Sequence, residues 1–348
     1  MKRFIDVLVP SPTCNLCCHY CYVPQEIKQS KVSSFLYEPK HIGLALSKKR
    51  LGGVCHFNIC GMGETLIPKQ VLDITREILK NGHYVMIVTN GTLTERFHQF
   101  TRLPMKLRDR LGFKFSFHYL ELVKRGLLDL FFDNIDLVKK SGMSFSVEIT
   151  PSDELEPYIE EIKRISRSRV GALPHLTIPR DMKVSDIVLL SKYSLDEFIK
   201  KWKGFDSEML RFKKSTWGIK RCEYCYAGAW SGLLNIGNGI LTACYGSKIT
   251  QNIFEDLKKP IMFVAVGKGC NLPHCYNSHS LLTLGNIPKI KGVYANIRNR
   301  KNEKDGSEWL KPNMKKFLSH RLENYNKQFT LIEKLKNYTR KKRIENKK

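Results

Sequence analysis

Acidic residues are scarce in this sequence: 33 aspartates and glutamates stand against 59 lysines and arginines, a formal net charge of +26. Such an excess raises the local concentration of anionic partners, which brings RNA, phosphorylated sugars and acidic peptides into view. The excess is uneven. Lys200 to Arg221 and Leu331 to Lys348 each hold eight basic and two acidic residues, and the second run reads as a basic, exposed helical tail, a pattern that often serves solubility alone. Missing as well is any zinc finger, RNP-like string or aromatic-interleaved basic motif, so nucleic acid ranks behind other partners. Long apolar runs are absent too. The first, Phe4 to Val9, stops at Pro10, and Ile261 to Val266 is among the longest later ones. Both are too short for a signal-peptide core or a membrane span, so no span and a cytoplasmic location are expected. Thiols stay reduced there, and the eleven cysteines then point to metal rather than to disulfides.

The densest chemistry lies in Cys14-Asn15-Leu16-Cys17-Cys18-His19-Tyr20-Cys21. Read as C-x3-C-x2-C, it offers Cys14, Cys18 and Cys21 on one short loop after an apolar run. Three thiolates can hold three irons of a [4Fe-4S] cubane and leave the fourth iron open, whereas clusters are normally held by four cysteines. Two zinc pairs, Cys14 with Cys17 and Cys18 with Cys21, are the plainer alternative, but adjacent Cys17 and Cys18 leave no room between the two hooks. A disulfide framework is unneeded in 348 residues, enough to bury a core without staples. The spacing, with Tyr20 just before the last cysteine, closely resembles the radical S-adenosylmethionine (SAM) superfamily. Cys17 has no role in that pattern and is read as a packing thiol.

Strand and helix patterns alternate through the first half. Phe4–Val9, Val54–Cys60, Tyr84–Val88, Phe113–His118, Phe145–Thr150 and His175–Pro179 read as strands. Helical patterns fall at 35–50, from Pro68 to Asn81, at 129–141 and at 157–167. Such alternation argues for a parallel sheet, and the six repeats fit the partial (β/α)6 TIM-like barrel that the resemblance implies. In barrels of this kind the chemistry sits at the carboxyl ends of the strands. The domains expected are a barrel over 1–200, a cysteine-rich auxiliary domain over 215–285 and a basic, helical extension over 286–348.

Two further motifs follow predicted strands. Gly61-Met62-Gly63-Glu64 resembles the glycine-rich element that contacts the SAM amino group in the superfamily: glycines admit close backbone approach, and a carboxylate can balance an ammonium. Thr65 stands where many relatives have proline, which bears on the loop's conformation. Thr89-Asn90-Gly91 resembles a strand-end turn of the same family. Ser116, His118 and Glu148 lie near later strand ends, where they could face SAM or substrate, and His118 reads equally well as a structural histidine. The SAM-binding set is therefore Gly61, Gly63, Glu64, Asn90, Ser116 and Glu148. No general acid, base or nucleophile is assigned.

A second cysteine group comes later. Leu233–Ile236 and Ile240–Ala243 flank Gly237-Asn238-Gly239, a hairpin signal that would bring Cys225 towards Cys244. Cys225-x13-Gly239-x4-Cys244 resembles the opening of the SPASM and twitch auxiliary-cluster domains. The resemblance implies one extra [4Fe-4S] cluster on Cys225, Cys244, Cys270 and Cys275, with Cys222 as substitute. A structural zinc is the competing occupant of those four thiolates. Cys55 and Cys60 read as buried strand residues.

The resemblance covers about 4–180 and 222–275. It implies reductive cleavage of SAM to methionine and a 5′-deoxyadenosyl radical that takes hydrogen from a substrate. Its partners would be a reductant such as flavodoxin or ferredoxin and a peptide, protein or small-molecule substrate. RNA modification is the alternative within enzymes, and a zinc-stabilised adaptor the alternative outside them.

Overall fold

Six short strands run side by side and parallel: β1 (Phe4–Val9), β2 (His56–Gly61), β3 (Tyr84–Thr89), β4 (Leu111–Ser116), β5 (Ser144–Ile149) and β6 (His175–Leu176). The computed structural model describes residues 1–21, 34–183, 186–275 and 292–346. Each strand lies where its apolar run placed it, within a few residues. The sixth, expected to reach Pro179, is shorter. Thr177 N still donates to Ile149 O at 3.0 Å, but Pro179 has no N–H with which to carry the ladder on.

Side chains alternate between the two faces of a strand, and here the faces differ in kind. Ile5, Val7, Val9, Phe57, Ile59, Val85, Ile87, Phe113, Phe115, Val147 and Ile149 are buried in one apolar cluster beneath the helices. From those helices come Ile74 and Ile78 of Gln70–Lys80, Phe97 and Phe100 of Thr94–Thr101, Phe131 and Ile135 of Leu128–Lys140, and Ile162 of Ile159–Val170. Burying each such side chain contributes about 1.5–3 kcal/mol, so this face holds the helices on. On the other face Phe4 and Met86 join Met209, Tyr294 and Met314 in a second cluster. Towards the carboxyl ends that same face turns polar, with Asp6, Asn58, Lys114, Ser116 and Glu148. Its upper half is not built to be filled by side chains.

Two helices differ from the sequence expectation. The pattern at 35–50 forms Pro39–Ala45 and Lys48–Leu51, broken where Ser47 takes an extended backbone as the second helix's N-cap. The pattern at 157–167 begins as a 3₁₀ turn, Asp153–Tyr158, because Pro157 lies inside it, and continues as Ile159–Val170.

The expected hairpin is present as β7 (Ser231–Asn235) and β8 (Ile240–Thr242), followed by β9 (Thr250–Asn252). Gly239 turns it with φ +78°, and a Cβ there would stand 2.6 Å from Phe254. β7 pairs parallel with β1, Phe4 opposite Ser231. The result is one open sheet in the order β6-β5-β4-β3-β2-β1-β7-β8-β9. The architecture is thus mixed α/β, a partial barrel with the cysteine-rich segment running on from its first strand.

Residues 292–318 pack back onto the barrel. Phe145 N donates to Trp309 O at 3.0 Å, and the Trp309 indole donates to Val170 O at 3.0 Å. The basic tail is the helix Leu331–Glu345, opened by a Thr330–Glu333 capping box. Its Asn337 side chain bonds both backbone groups of Ala265, at 2.9 and 3.0 Å. Among the described residues, no helix is long and apolar enough to cross a membrane.

Candidate active site

At the carboxyl ends of the barrel strands lies a cavity of about 340 Å³, the position from which loops reach a common centre in such folds. Cys14, Cys18 and Cys21 all line it, whereas Cys17 is exposed and lies outside it. The loop is tied down on several sides. Cys21 N donates to Cys18 O at 3.1 Å, Cys17 N donates to Glu121 Oε2 at 3.0 Å, and Asn15 Nδ2 donates to Thr92 Oγ1 at 2.7 Å. The Tyr20 hydroxyl meets His118 Nδ1 at 2.5 Å. Burial raises the Tyr20 phenol far above its ordinary range, and Cys18 adds to the shift.

The Gly61–Glu64 turn braces this loop from beneath. Gly63 N donates to Ser11 O at 2.7 Å and Glu64 N to Thr13 O at 2.9 Å. A Cβ on Gly63 would come within 2.0 Å of Thr13 O, so the glycine is required by the cysteine loop's own backbone. Thr65 closes the turn by accepting from Gly61 N at 2.9 Å. The Glu64 carboxylate accepts from Thr89 Oγ1 at 2.7 Å, Asn90 N at 2.7 Å and Leu66 N at 2.9 Å. It joins two loops, and burial outweighs these bonds to hold its pKa above the usual range. Asn90 Nδ2 donates to Asn15 Oδ1 at 2.8 Å and stands 4.0 Å from Cys14 Sγ.

Ser116, His118 and Glu148 also line the cavity. Glu148 accepts from Arg298 Nη1 at 2.6 Å. Burial raises its pKa, but Arg298, Lys114 and Lys213 together bring it below the ordinary carboxylate range. Those three cations, with Arg180, line the cavity and are absent from the residues the sequence singles out. Lys114 could have been found, since it lies two residues before Ser116 in Leu111–Ser116 and therefore on the same face. Lys213 and Arg298 carry no such signal, because each comes from a segment with no motif.

Three thiols along one cavity wall suit a polynuclear cluster, whose irons each take a thiolate, better than one tetrahedral ion. Among the described residues no three His, Cys, Asp or Glu side chains are gathered closely enough for a single metal ion. Cys60 is a fourth thiol on the wall, pushed up to about 11 by burial with Asp6 adding to it. Cys55 lies in the apolar core, pushed by burial to about 12.

The later cysteines lie within electrostatic reach of one another. Burial raises the Cys244 thiol, and neighbouring Cys225, Cys275 and Cys270 raise it further. Cys225 is pushed by burial to about 11, with Cys270 adding to it. Lys220 draws in the loop between Cys270 and Cys275 by donating to Cys270 O at 2.6 Å and Leu272 O at 2.7 Å. Cys222 is exposed.

Residues 8–165 match the Radical SAM superfamily. No curated protein matches the sequence. Among solved structures, native anSMEcpe with bound AdoMet is similar over 99% of both chains, with a TM-score of 0.53 at 14% identity. Streptococcus suis SuiB bound to S-adenosylmethionine is similar over 74% of this chain, with a TM-score of 0.52 at 14% identity. The chain spans 65% of the length of SuiB. SuiB has also been solved bound to its precursor peptide SuiA, with the same TM-score of 0.52 and identity of 14%, over 75% of this chain and 65% of that one. At such identity these likenesses establish the fold, a partial barrel of the kind seen in those SAM-bound proteins, and residues 8–165 of it are what match the radical SAM superfamily.

Proposed function

We propose that this enzyme cleaves SAM at a [4Fe-4S] cluster held by Cys14, Cys18 and Cys21 and takes a hydrogen atom from a peptide or protein, with a small metabolite as the other substrate class. Held by those three thiolates, a cluster would supply the electron for reductive cleavage of SAM. The observation that carries the reading is the convergence of those three thiols on one cavity at the strands' carboxyl ends. Cys60 on the same wall belongs to β2 and not to the cysteine loop. Gly63 and Glu64 act by fixing the cysteine loop, while Asn90 and Ser116 present polar side chains to the ligand. Glu148 acts together with its partner Arg298. The walls also keep solvent from a reactive species.

The peptide class is supported by the fold shared with SuiB, one of whose structures holds a precursor peptide. Cys225, Cys244, Cys270 and Cys275 would hold a second [4Fe-4S] cluster, four soft thiolates being suited to it, and flavodoxin or ferredoxin would deliver electrons. Location in the cytoplasm accords with this use of reduced thiols.

Anaerobically purified protein should contain iron and sulfide and, with dithionite and SAM, release 5′-deoxyadenosine. Cys14→Ala, Cys18→Ala and Cys21→Ala should each abolish that release. Colourless protein with stoichiometric zinc and no nucleoside would replace the enzyme by a metal-stabilised adaptor.

A further inference from the structure

One wall of the cavity is strongly basic. Lys114 of β4, Arg180 after β6, Lys213 of the helix Glu208–Lys214 and Arg298 line it, with Asp6 and Glu148 as the carboxylates nearest to them. Hydrogen bonds account for part of this charge. Arg298 donates to Glu148 at 2.6 Å and to the Tyr294 hydroxyl at 3.1 Å, and Asp6 accepts from Asn58 Nδ2 at 2.8 Å. Lys213 instead donates to the neutral Thr177 hydroxyl.

Burial pushes Lys213 down to about 7, and Arg180, Arg298 and Lys114 depress it further against the pull of Glu148. Lys114 is pushed to about 8, burial again leading. An ammonium withdrawn from water is unfavourable by several kcal/mol unless an anion offsets it. Asp6 and Glu148 are two carboxylates against the three buried cations Lys114, Lys213 and Arg298. Three of the cations, Arg180, Lys213 and Arg298, lie outside the matched residues 8–165. The wall is therefore built largely by this chain's own later segments, which return to the barrel after β6.

We propose that Lys114, Arg180 and Lys213 bind a carboxylate of the substrate, so that the enzyme acts on an acidic side chain or a free carboxyl terminus. The proposal rests on the radical SAM reading of the same cavity and names its substrate class. An entering carboxylate would stabilise the protonated lysines, and its attachment at this wall would fix which carbon faces the centre of the cavity. SAM carries a carboxylate as well, and a phosphate would meet the same cations, so the test separates these sources.

Reconstituted, SAM-loaded enzyme is titrated with N-acetylglycine, N-acetylglycinamide and inorganic phosphate by equilibrium dialysis, and SAM affinity is measured alongside. The acid should bind about tenfold tighter than its amide and tighter than phosphate. Lys213→Met should erase that preference and Lys213→Arg keep it, both with SAM affinity within about twofold of wild type. Equal binding of acid and amide overturns the proposal, as does tighter binding of phosphate. A tenfold loss of SAM affinity in Lys213→Met would reassign the wall to SAM. If wild-type enzyme released no 5′-deoxyadenosine, the underlying reading would fail instead, and the two failures are read by different assays.

Discussion

The Tyr20 hydroxyl lies 2.5 Å from His118 Nδ1, a bond that joins the cysteine loop after β1 to the turn after β4. Tyr20→Phe removes the hydroxyl and leaves the ring. It should lower stability by roughly 0.5–1.5 kcal/mol and speed the loss of iron to a chelator, measured by absorbance on anaerobic protein. Unchanged iron release would mean that the loop's other bonds suffice.

Gly63 faces a tighter limit. An alanine Cβ there would lie 2.0 Å from Thr13 O, and backbone cannot yield as a flexible side chain does. Gly63→Ala should cost about 1–3 kcal/mol or more and reduce iron incorporation. Calorimetry and iron assay should move together, since one displacement causes both.

In the Glu148–Arg298 pair Arg298 is buried and Glu148 is partly exposed to the cavity. Glu148→Gln leaves Arg298 beside Lys114 and Lys213 without their carboxylate and should cost about 3–5 kcal/mol. The double variant Glu148→Leu with Arg298→Met should recover part of that loss. Denaturation curves for wild type, Glu148→Leu, Arg298→Met and the double variant give the coupling directly.

His83 predicts an acid limb. Its Nε2 bonds Leu46 O at 2.8 Å and its Nδ1 accepts from Cys55 N at 3.1 Å, the pattern of a neutral ring. Burial lowers its pKa from 6.5 to about 4. Below 6.5 the unfolded chain binds a proton that the folded one refuses, so stability falls with pH between about 6.5 and 4, by at most about 3 kcal/mol. His83→Leu should be less stable at pH 7 yet lose less across that window. Urea titrations at several pH values test it.

The later thiols give a counting experiment. Cys244→Ala should lower iron from about eight to about four atoms per chain, and Cys222→Ala should leave it unchanged. Equal losses in both variants would put Cys222 among the ligands.

Much of this was legible in the chain itself. The six barrel strands are dense apolar runs, and a hairpin turning on Gly239 is a local signal. Cys14, Cys18 and Cys21 lie so close in sequence that one loop must carry them. Other features depend on distant packing. Gly63 reads as a ligand contact and does line the cavity, but its need to admit Thr13 O, fifty residues earlier, has no local signal. Lys213 sits in a run of surface charge, and nothing local says that it alone turns inward. Arg298 reaches the barrel only because Trp309 and the helix Pro312–Leu318 anchor the segments around it.

The parallel pairing of β7 with β1 sets the separation of the two cysteine-bearing segments. Cys225 precedes β7 and Cys244 follows β8, at the end of the sheet level with Phe4. The cysteine loop leaves from the other end of β1. A six-residue strand spans about 20 Å, so the segments carrying the two groups of sulfurs leave the sheet at ends held that far apart along β1 by a ladder of peptide hydrogen bonds.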